Sequence, residues 1–324
     1  MLGVSLKVIV LLVASGTLLG FFGRWNWLFD ILSHFRVQYL LILITSGIIL
    51  ALGGQISTGL IAFTFGLVNL YTIAPLFIRE ERSRNQENSY RFLQANILQI
   101  NQSYSKVMEL IHTFEPDFIL LIETNHRWDR ALDEIRSLYP YENVALREDN
   151  YGLSLFSRIP FAEAEVITIG EKPLPTLVVK LQLDGAYLTM IGTHPPPPKG
   201  KQNANFRNMH LKELSSFVRS IEGKVILCGD LNITRWSPFF QEFLKESDLK
   251  DSAMGFGYQP TWPTDLPIFL IPIDHCLVST GISVINRRIG PKIGSDHYPI
   301  IFEFSEKERQ EAKEGQNAHS HIRI

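Results

Sequence analysis

Cysteine is nearly absent: two residues, Cys228 and Cys276, in a chain of 324. Both lie in apolar, strand-like runs, and neither shows the spacing of a thiolate metal site; two buried thiols fit either redox compartment. An excess of positive charge is missing too, with Lys+Arg 31 against Asp+Glu 33 and a formal net charge of -2. Without clustered Lys and Arg, or basic stretches interleaved with aromatics, there is no general polyanion-binding surface.

Charge is scarcest in the first 78 residues, where three apolar stretches run at about 2–22, 37–53 and 56–78. Each approaches the ~20 residues that cross a ~30 Å hydrocarbon core, so residues 1–78 are expected to form three transmembrane helices. Lys7 lies close enough to an end to snorkel, and two further spans argue against a cleaved signal peptide. Between the first two stretches, Trp25, Trp27, Phe29 and Phe35 alternate with Arg24, Asp30, His34 and Arg36. That mixture predicts a segment lying along the membrane interface. Gly53-Gly54-Gln55 predicts a tight hairpin between the second and third spans. Three crossings put the chain ends on opposite sides. Arg24, Arg36, Arg79, Arg82 and Arg84 against Lys7 would place the C-terminal part in the cytoplasm, with Glu80 and Glu81 counting for little.

Residues 79–89 are polar and aperiodic, as in a linker. Residues 306–324, with His319 and His321, read as a solvated terminus rather than a metal-binding tail. Residues 90–305 have the composition of a soluble domain that alternates strands and helices. Strands are predicted at 91–97, 118–122, 151–157, 177–183, 187–193, 225–228, 273–278 and 300–304, with Asp184-Gly185 turning a hairpin. Helices are predicted at 106–111, 128–138 and 205–221.

These strands end on polar residues. The first delivers Asn96; the run Phe118 to Ile122 ends on Glu123; His194 follows a strand and precedes four prolines, a stiff rim. After Val225 to Cys228, Gly229 is expected to break the strand, and Asp230 and Asn232 follow on a turn. Asp274, Asp296 and His297 flank the last two strands. A carboxylate accepts hydrogen bonds or binds a cation, and an amide both donates and accepts. Singly, each is ordinary: Gly-Asp-x-Asn is common turn chemistry. Chance placement of all eight at strand ends is improbable.

The order Asn96, Glu123, His194, Gly229-Asp230-Leu231-Asn232, Ile273-Asp274-His275 and Ser295-Asp296-His297-Tyr298-Pro299 resembles the endonuclease/exonuclease/phosphatase (deoxyribonuclease I-like) superfamily across about 90–304. The resemblance implies a four-layered α/β sandwich, two packed mixed β-sheets flanked by helices, here preceded by three transmembrane helices. It implies Glu123 as principal Mg²⁺ ligand, with Asn96 beside it, Asp296 assisting, and Mn²⁺ able to substitute. Hard oxygen ligands suit Mg²⁺. It implies that Asp274 orients His297, that Asp230 positions or deprotonates the attacking water, and that Asn232 and His194 bond the phosphoryl oxygens. The general base stays shared between Asp230 and His297.

Two departures matter. Leu98 stands where abasic-site endonucleases carry a second carboxylate, and no duplex-reading patch accompanies the motifs. Trp262 is open between substrate-pocket wall and packing. Arg207 is open between anionic-substrate contact and pairing with a carboxylate across the sandwich, the second preferred. The three spans also resemble bacterial membrane members of the family, some linked to glycopeptide resistance and to polyprenyl pyrophosphate hydrolysis outside the membrane. That favours an extracytoplasmic domain, against the basic-residue count. The expected function is an integral-membrane, Mg²⁺-dependent phosphoesterase acting on a phosphoester or pyrophosphate, lipid-linked in the preferred reading. The alternatives are a metal-dependent nuclease acting on nucleic acid and a catalytically silent phospho-ligand-binding module.

Overall fold

The structure, a computed structural model, describes residues 2–78, 89–183 and 185–306. Nearly all of the expected linker, with Arg79, Glu80, Glu81, Arg82 and Arg84, lies outside the described residues, as do Asp184 of the hairpin turn and the tail with His319 and His321.

The amino-terminal region holds α1 (Leu2–Leu19), α2 (Trp27–Ser33), α3 (Arg36–Leu52) and α4 (Ile56–Ile73). Two helical stretches, Gly3–Phe22 and Ile56–Phe77, are long and apolar enough to cross a membrane; α2 and α3 make a third only if their 65° bend belongs to one broken span. α3 and α4 form the expected hairpin around small residues, where a Cβ on Gly59 would stand 3.2 Å from the Gly47 carbonyl oxygen. Inside this apolar bundle, Arg36 donates to the Thr17 carbonyl at 2.8 Å and Asn69 donates to the Thr17 hydroxyl at 2.9 Å. Polar groups in such surroundings persist by bonding one another.

The remainder is built from β1 (Tyr90–Asn96), α5 (Tyr104–Phe114), β2 (Phe118–Ile122), α6 (His126–Ala131), β3 (Tyr141–Ala145), β4 (Leu153–Ser157), β5 (Phe161–Ile169), β6 (Leu174–Leu183), β7 (Ala186–Thr193), α7 (Lys201–Ser220), β8 (Lys224–Asp230), α8 (Pro238–Ser247), β9 (Lys250–Asp251), β10 (Asp274–Val278), β11 (Ile282–Ile289) and β12 (Ile300–Glu306). Two six-stranded sheets run β11-β12-β1-β2-β4-β3 and β5-β6-β7-β8-β10-β9. β1–β2 and β7–β8 are parallel and the other named pairs antiparallel, so both sheets are mixed. One apolar core fills the space between the sheets, from Phe92, Phe118 and Phe302 to Leu181, Met190 and Ile226. Two outer cores seat α5 and α6 on the first sheet and α7 and α8 on the second. This is the four-layered sandwich, and each large core side chain contributes about 1.5–3 kcal/mol of transfer free energy.

The helical region is bonded to the sandwich. Gln38 donates to the Leu270 carbonyl at 2.7 Å, Trp236 to the Thr72 carbonyl at 3.1 Å, and the Gly257 N–H to the Leu76 carbonyl at 2.8 Å. Within the expected interfacial segment, the polar side chains find protein partners. Asp30, His34 and Arg36 are buried in protein; Asp30 pairs with Arg207 at 2.5 Å and His34 meets Thr234 at 2.9 Å, while Trp25 stays exposed. The amphipathic pattern is real, and Asp30, His34 and Arg36 of its polar face lie against protein.

Candidate active site

Side chains alternate across a strand, so every second residue of each strand enters the space between the sheets. In β1 these are Phe92, Gln94 and Asn96; in β8, Ile226, Cys228 and Asp230; in β10, Val278, Cys276 and Asp274. The apolar members line the inter-sheet core. The polar ones fall at the same edge of the sandwich because of strand direction and register. Antiparallel pairing sets Asp230 opposite Asp274, and parallel pairing sets Asn96 beside Ile122, one residue before Glu123. β7 pairs Thr193 with Gly229, which brings His194 beside Asp230.

Gly229 does not break the strand as expected; β8 continues through it to Asp230. A Cβ there would lie 2.1 Å from the Thr193 carbonyl oxygen, so glycine lets two strands approach at the site. Gly152 acts likewise, with only 1.7 Å from its ideal Cβ position to the Thr124 oxygen; its own carbonyl accepts from the Glu123 N–H at 2.8 Å. Glu123 and Asn232 both have left-handed backbones, φ 69° and 52°. Such non-glycine conformations cost roughly 1–3 kcal/mol and are held by their surroundings.

The assembled residues form one connected network. Asn96 Nδ2 donates to Glu123 Oε1 at 3.0 Å and to Asp230 Oδ2 at 3.1 Å. Asp230 Oδ2 also lies 3.5 Å from His194 Nε2 and 3.6 Å from His297 Nε2. His297 Nδ1 is bonded to Asp274 Oδ2 at 2.8 Å. Asn232 donates its backbone N–H to Asp230 Oδ1 and its carboxamide to the Pro195 carbonyl, each at 3.0 Å. Trp262 Nε1 donates to Asp296 Oδ2 at 3.0 Å, and Asp296 Oδ1 lies 4.0 Å from His297 Nε2.

Charge divides this network. Burial opposes the charge on His297, but Asp274 and Asp230 more than offset it and raise its pKa to about 10. Burial would lift Asp230, yet the charge of His297 and the bond from His194 hold it down to about 2. His194 is raised as well, its burial outweighed by the Asp230 bond. Asp230, Asp274 and His297 could by geometry hold a cation. The imidazolium already supplies the positive charge there, so this trio reads as a proton-handling group. Glu123 differs: its oxygens accept from the neutral Asn96 amide and from the Gln99 N–H at 3.1 Å. Asp296 Oδ1 is buried with no hydrogen-bond partner. The Glu123 oxygens, met by neutral donors, and Asp296 Oδ1, which lies 4.0 Å from His297 Nε2 without a hydrogen bond, are hard oxygen donors that fit a divalent cation. The Asn96 carboxamide oxygen, Oδ1, accepts from the Leu98 N–H at 3.0 Å and keeps a second lone pair.

Residues 93–297 match the Endonuclease/Exonuclease/phosphatase family. The chain belongs to that family. Among solved structures of this superfamily, the human Nocturnin catalytic domain with bound sulfate aligns at TM-score 0.57 and 19% identity, over 72% of this chain and 98% of that one. Sphingomyelinase C from Streptomyces griseocarneus aligns at TM-score 0.52 and 17% identity, over 67% and 99%. Phospholipase C from Staphylococcus aureus is 24% identical over 166 residues, 41% of this chain and 50% of the relative, so the chain spans about half the length of the curated relatives it matches.

Several residues that shape the candidate site were given no role from the sequence. Ser295 Oγ donates to the Asn96 carbonyl at 2.7 Å and accepts from the His297 N–H at 3.1 Å, locking the first sheet to the Asp296-His297 turn. Its place in the Gly-Ser-Asp-His run could have flagged it. Gln99 braces Glu123 and reaches Glu148 at 3.4 Å; both read only as polar loop residues. Arg207 corrects its preferred reading: its carboxylate partner is Asp30 of α2, outside the sandwich.

Proposed function

We propose that the chain is a membrane-anchored, divalent-metal-dependent phosphoesterase hydrolysing a phosphoester or pyrophosphate carried by a lipid. The observation that carries this reading is the single network joining Glu123, Asn96, Asp230, His194, His297 and Asp274, with cationic partners on one side and none but neutral donors on Glu123. Glu123 and Asp296 would hold Mg²⁺ (Mn²⁺ substituting), with Asn96 alongside, and the ion would supply Lewis acidity toward a phosphoryl oxygen. Asp230 orients the attacking water and, being ionised, receives its proton, while the adjacent His297 imidazolium stabilises the carboxylate and is the proton donor of the pair. Asp274 fixes the His297 ring. His194 and Asn232 donate to phosphoryl oxygens as their charge grows. Trp262 steadies Asp296 and walls the site.

Support for a lipid substrate comes from the surface beside Trp262. Leu266, Ile268 and Phe269 are exposed, Ile268 at 72%, on the loop that follows Trp262. Phe269 stacks edge-on against Phe35 at 6.4 Å, at the start of α3, so this apolar lip lies next to a candidate membrane helix. The similarity of the chain to a phospholipase C and to a sphingomyelinase C agrees with it. For the side of the membrane we favour the outer face. Two arginines of the opposing basic count have protein partners: Arg36 in the bundle and Arg24 with Glu242 at 3.2 Å.

The test is hydrolysis by the full chain in detergent, with farnesyl pyrophosphate and a choline phospholipid in mixed micelles as probes and Mg²⁺ present. Product release that EDTA and Glu123→Ala both abolish supports the reading. Turnover that survives Glu123→Ala contradicts the metal assignment. Plasmid nicking with no lipid hydrolysis would move the chain to the nucleases, and phosphate binding with no hydrolysis would make it a sensor.

A further inference from the structure

The turn that carries Asn232 is held from outside the sandwich. Arg207 on α7 donates through Nη1 to the Asn232 carbonyl at 3.1 Å. Through Nη2 it meets Asp30 Oδ2 on α2 at 2.5 Å, and Asn208 Oδ1 accepts from Nε at 3.0 Å and from Nη2 at 2.7 Å. Asp30 is fixed in turn, its Oδ1 accepting from Ser237 Oγ at 2.5 Å. The pair is fully enclosed, with side-chain exposures of 0% for Arg207 and 1% for Asp30. Residues 233 and 234 are pinned as well: His275 Nε2 lies 2.8 Å from the Ile233 carbonyl, and His34 Nδ1 lies 2.9 Å from Thr234 Oγ1. Two of these three restraints originate in the amino-terminal helices.

A buried ion pair adds little net stability over an apolar contact, and its strength is direction. Here the direction is specific. Asn232 has a left-handed backbone that needs outside support. Its N–H is taken by Asp230 and its carbonyl by Arg207, so the two ends of one residue are clamped between the catalytic carboxylate and the ion pair. Arg207, enclosed and desolvated, cannot keep its place without an anion. Burial already pulls its pKa below the ordinary value.

We propose that Asp30, in the amino-terminal helical region, is a positioning residue for hydrolysis, acting through Arg207 on the Asn232 carbonyl. The helices then complete the catalytic turn as well as anchoring it. This rests on Asn232 contacting the phosphoryl group, the reading given above.

The experiment uses the full chain in detergent, farnesyl pyrophosphate with Mg²⁺, and hydrogen exchange across residues 229–234. Asp30→Asn should lower kcat on the order of 10- to 100-fold with KM within about threefold, as for a supporting group whose loss loosens a transition-state donor. Exchange at 231–234 should quicken. Asp30→Glu should restore part of kcat. Arg207→Lys keeps a cation for Asp30 but loses the planar fork, so it should lower kcat while the melting temperature holds. Arg24→Ala, which breaks the exposed pair with Glu242 across the same interface, should change neither readout. Wild-type kcat and exchange in both Asp30→Asn and Arg207→Lys would overturn the proposal. So would an equal loss in Arg24→Ala, which would mean general loosening. If Asp30→Asn does not fold, Arg207→Lys decides. If the wild type hydrolyses neither probe, the function reading fails by itself, and exchange still decides the coupling.

Discussion

The two sheets bring opposite kinds of carboxylate to one site. At the edge of the second sheet, Asp230 and Asp274 face imidazoles: His297 lies 3.6 Å from Asp230 and 2.8 Å from Asp274, and His194 lies 3.5 Å from Asp230. At the edge of the first, Glu123 takes only an amide and a backbone N–H, and Asp296 keeps a buried oxygen without a hydrogen bond, 4.0 Å from His297 Nε2. Four acids of one chemical type thus separate by what neutralises them. Histidines answer one half, and in the proposed reading Glu123 with Asp296 takes a cation. In the proposed reading, charge accounting more than proximity separates a proton half from a metal half, since Asp230 and Asp274 are the acids paired with imidazoles.

The largest effects should come from breaking either half. Glu123→Ala and Asp230→Asn should each lower turnover about a thousandfold or more, the scale for losing a metal's charge or a positioned base. They should differ in cause: raising Mg²⁺ should recover part of a partial Glu123→Asp variant and nothing of Asp230→Asn. A smaller, pH-dependent effect should come from His297. Its folded pKa, about 10, lies above the ordinary 6.5, so the folded chain holds that proton more tightly. The stabilisation is complete below about pH 6.5 and is lost as pH rises through about 10. Thermal melts in EDTA should show that alkaline loss, and His297→Gln should flatten it. The smallest effect should be Trp262→Phe, which removes the indole donor to Asp296 and keeps the ring. A loss of turnover of only several-fold is expected, with a higher Mg²⁺ requirement.

What was legible in the sequence follows the same division. Strands buried on both faces, such as Phe118–Ile122, are continuous apolar runs and could be placed almost to the residue. Each polar strand-end residue stood out against such a run, and register then gathered them. β5 is mostly exposed, and β11 carries Asn286, Arg287 and Arg288; both are edge strands with little apolar pattern to find. β3 lies at the far edge of its sheet, and neither it nor α8 was assigned from the sequence. The Asp30–Arg207 pair was not legible, because 177 residues separate the partners and nothing local distinguishes a buried ion pair from an interfacial charge. Gly229 was misread for a related reason: glycine signals both a strand break and close backbone approach, and only the neighbouring strand decides.

The central claim, that the metal belongs to the Glu123 half and the proton to the Asp230–His297 half, is tested most directly by titrating Mg²⁺ into the full-length chain calorimetrically. Wild type and Asp274→Asn should bind Mg²⁺ with similar affinity, while Glu123→Gln should bind at least tenfold more weakly. Unchanged binding in Glu123→Gln, with binding lost in Asp274→Asn, would place the cation among Asp230, Asp274 and His297 and contradict the account.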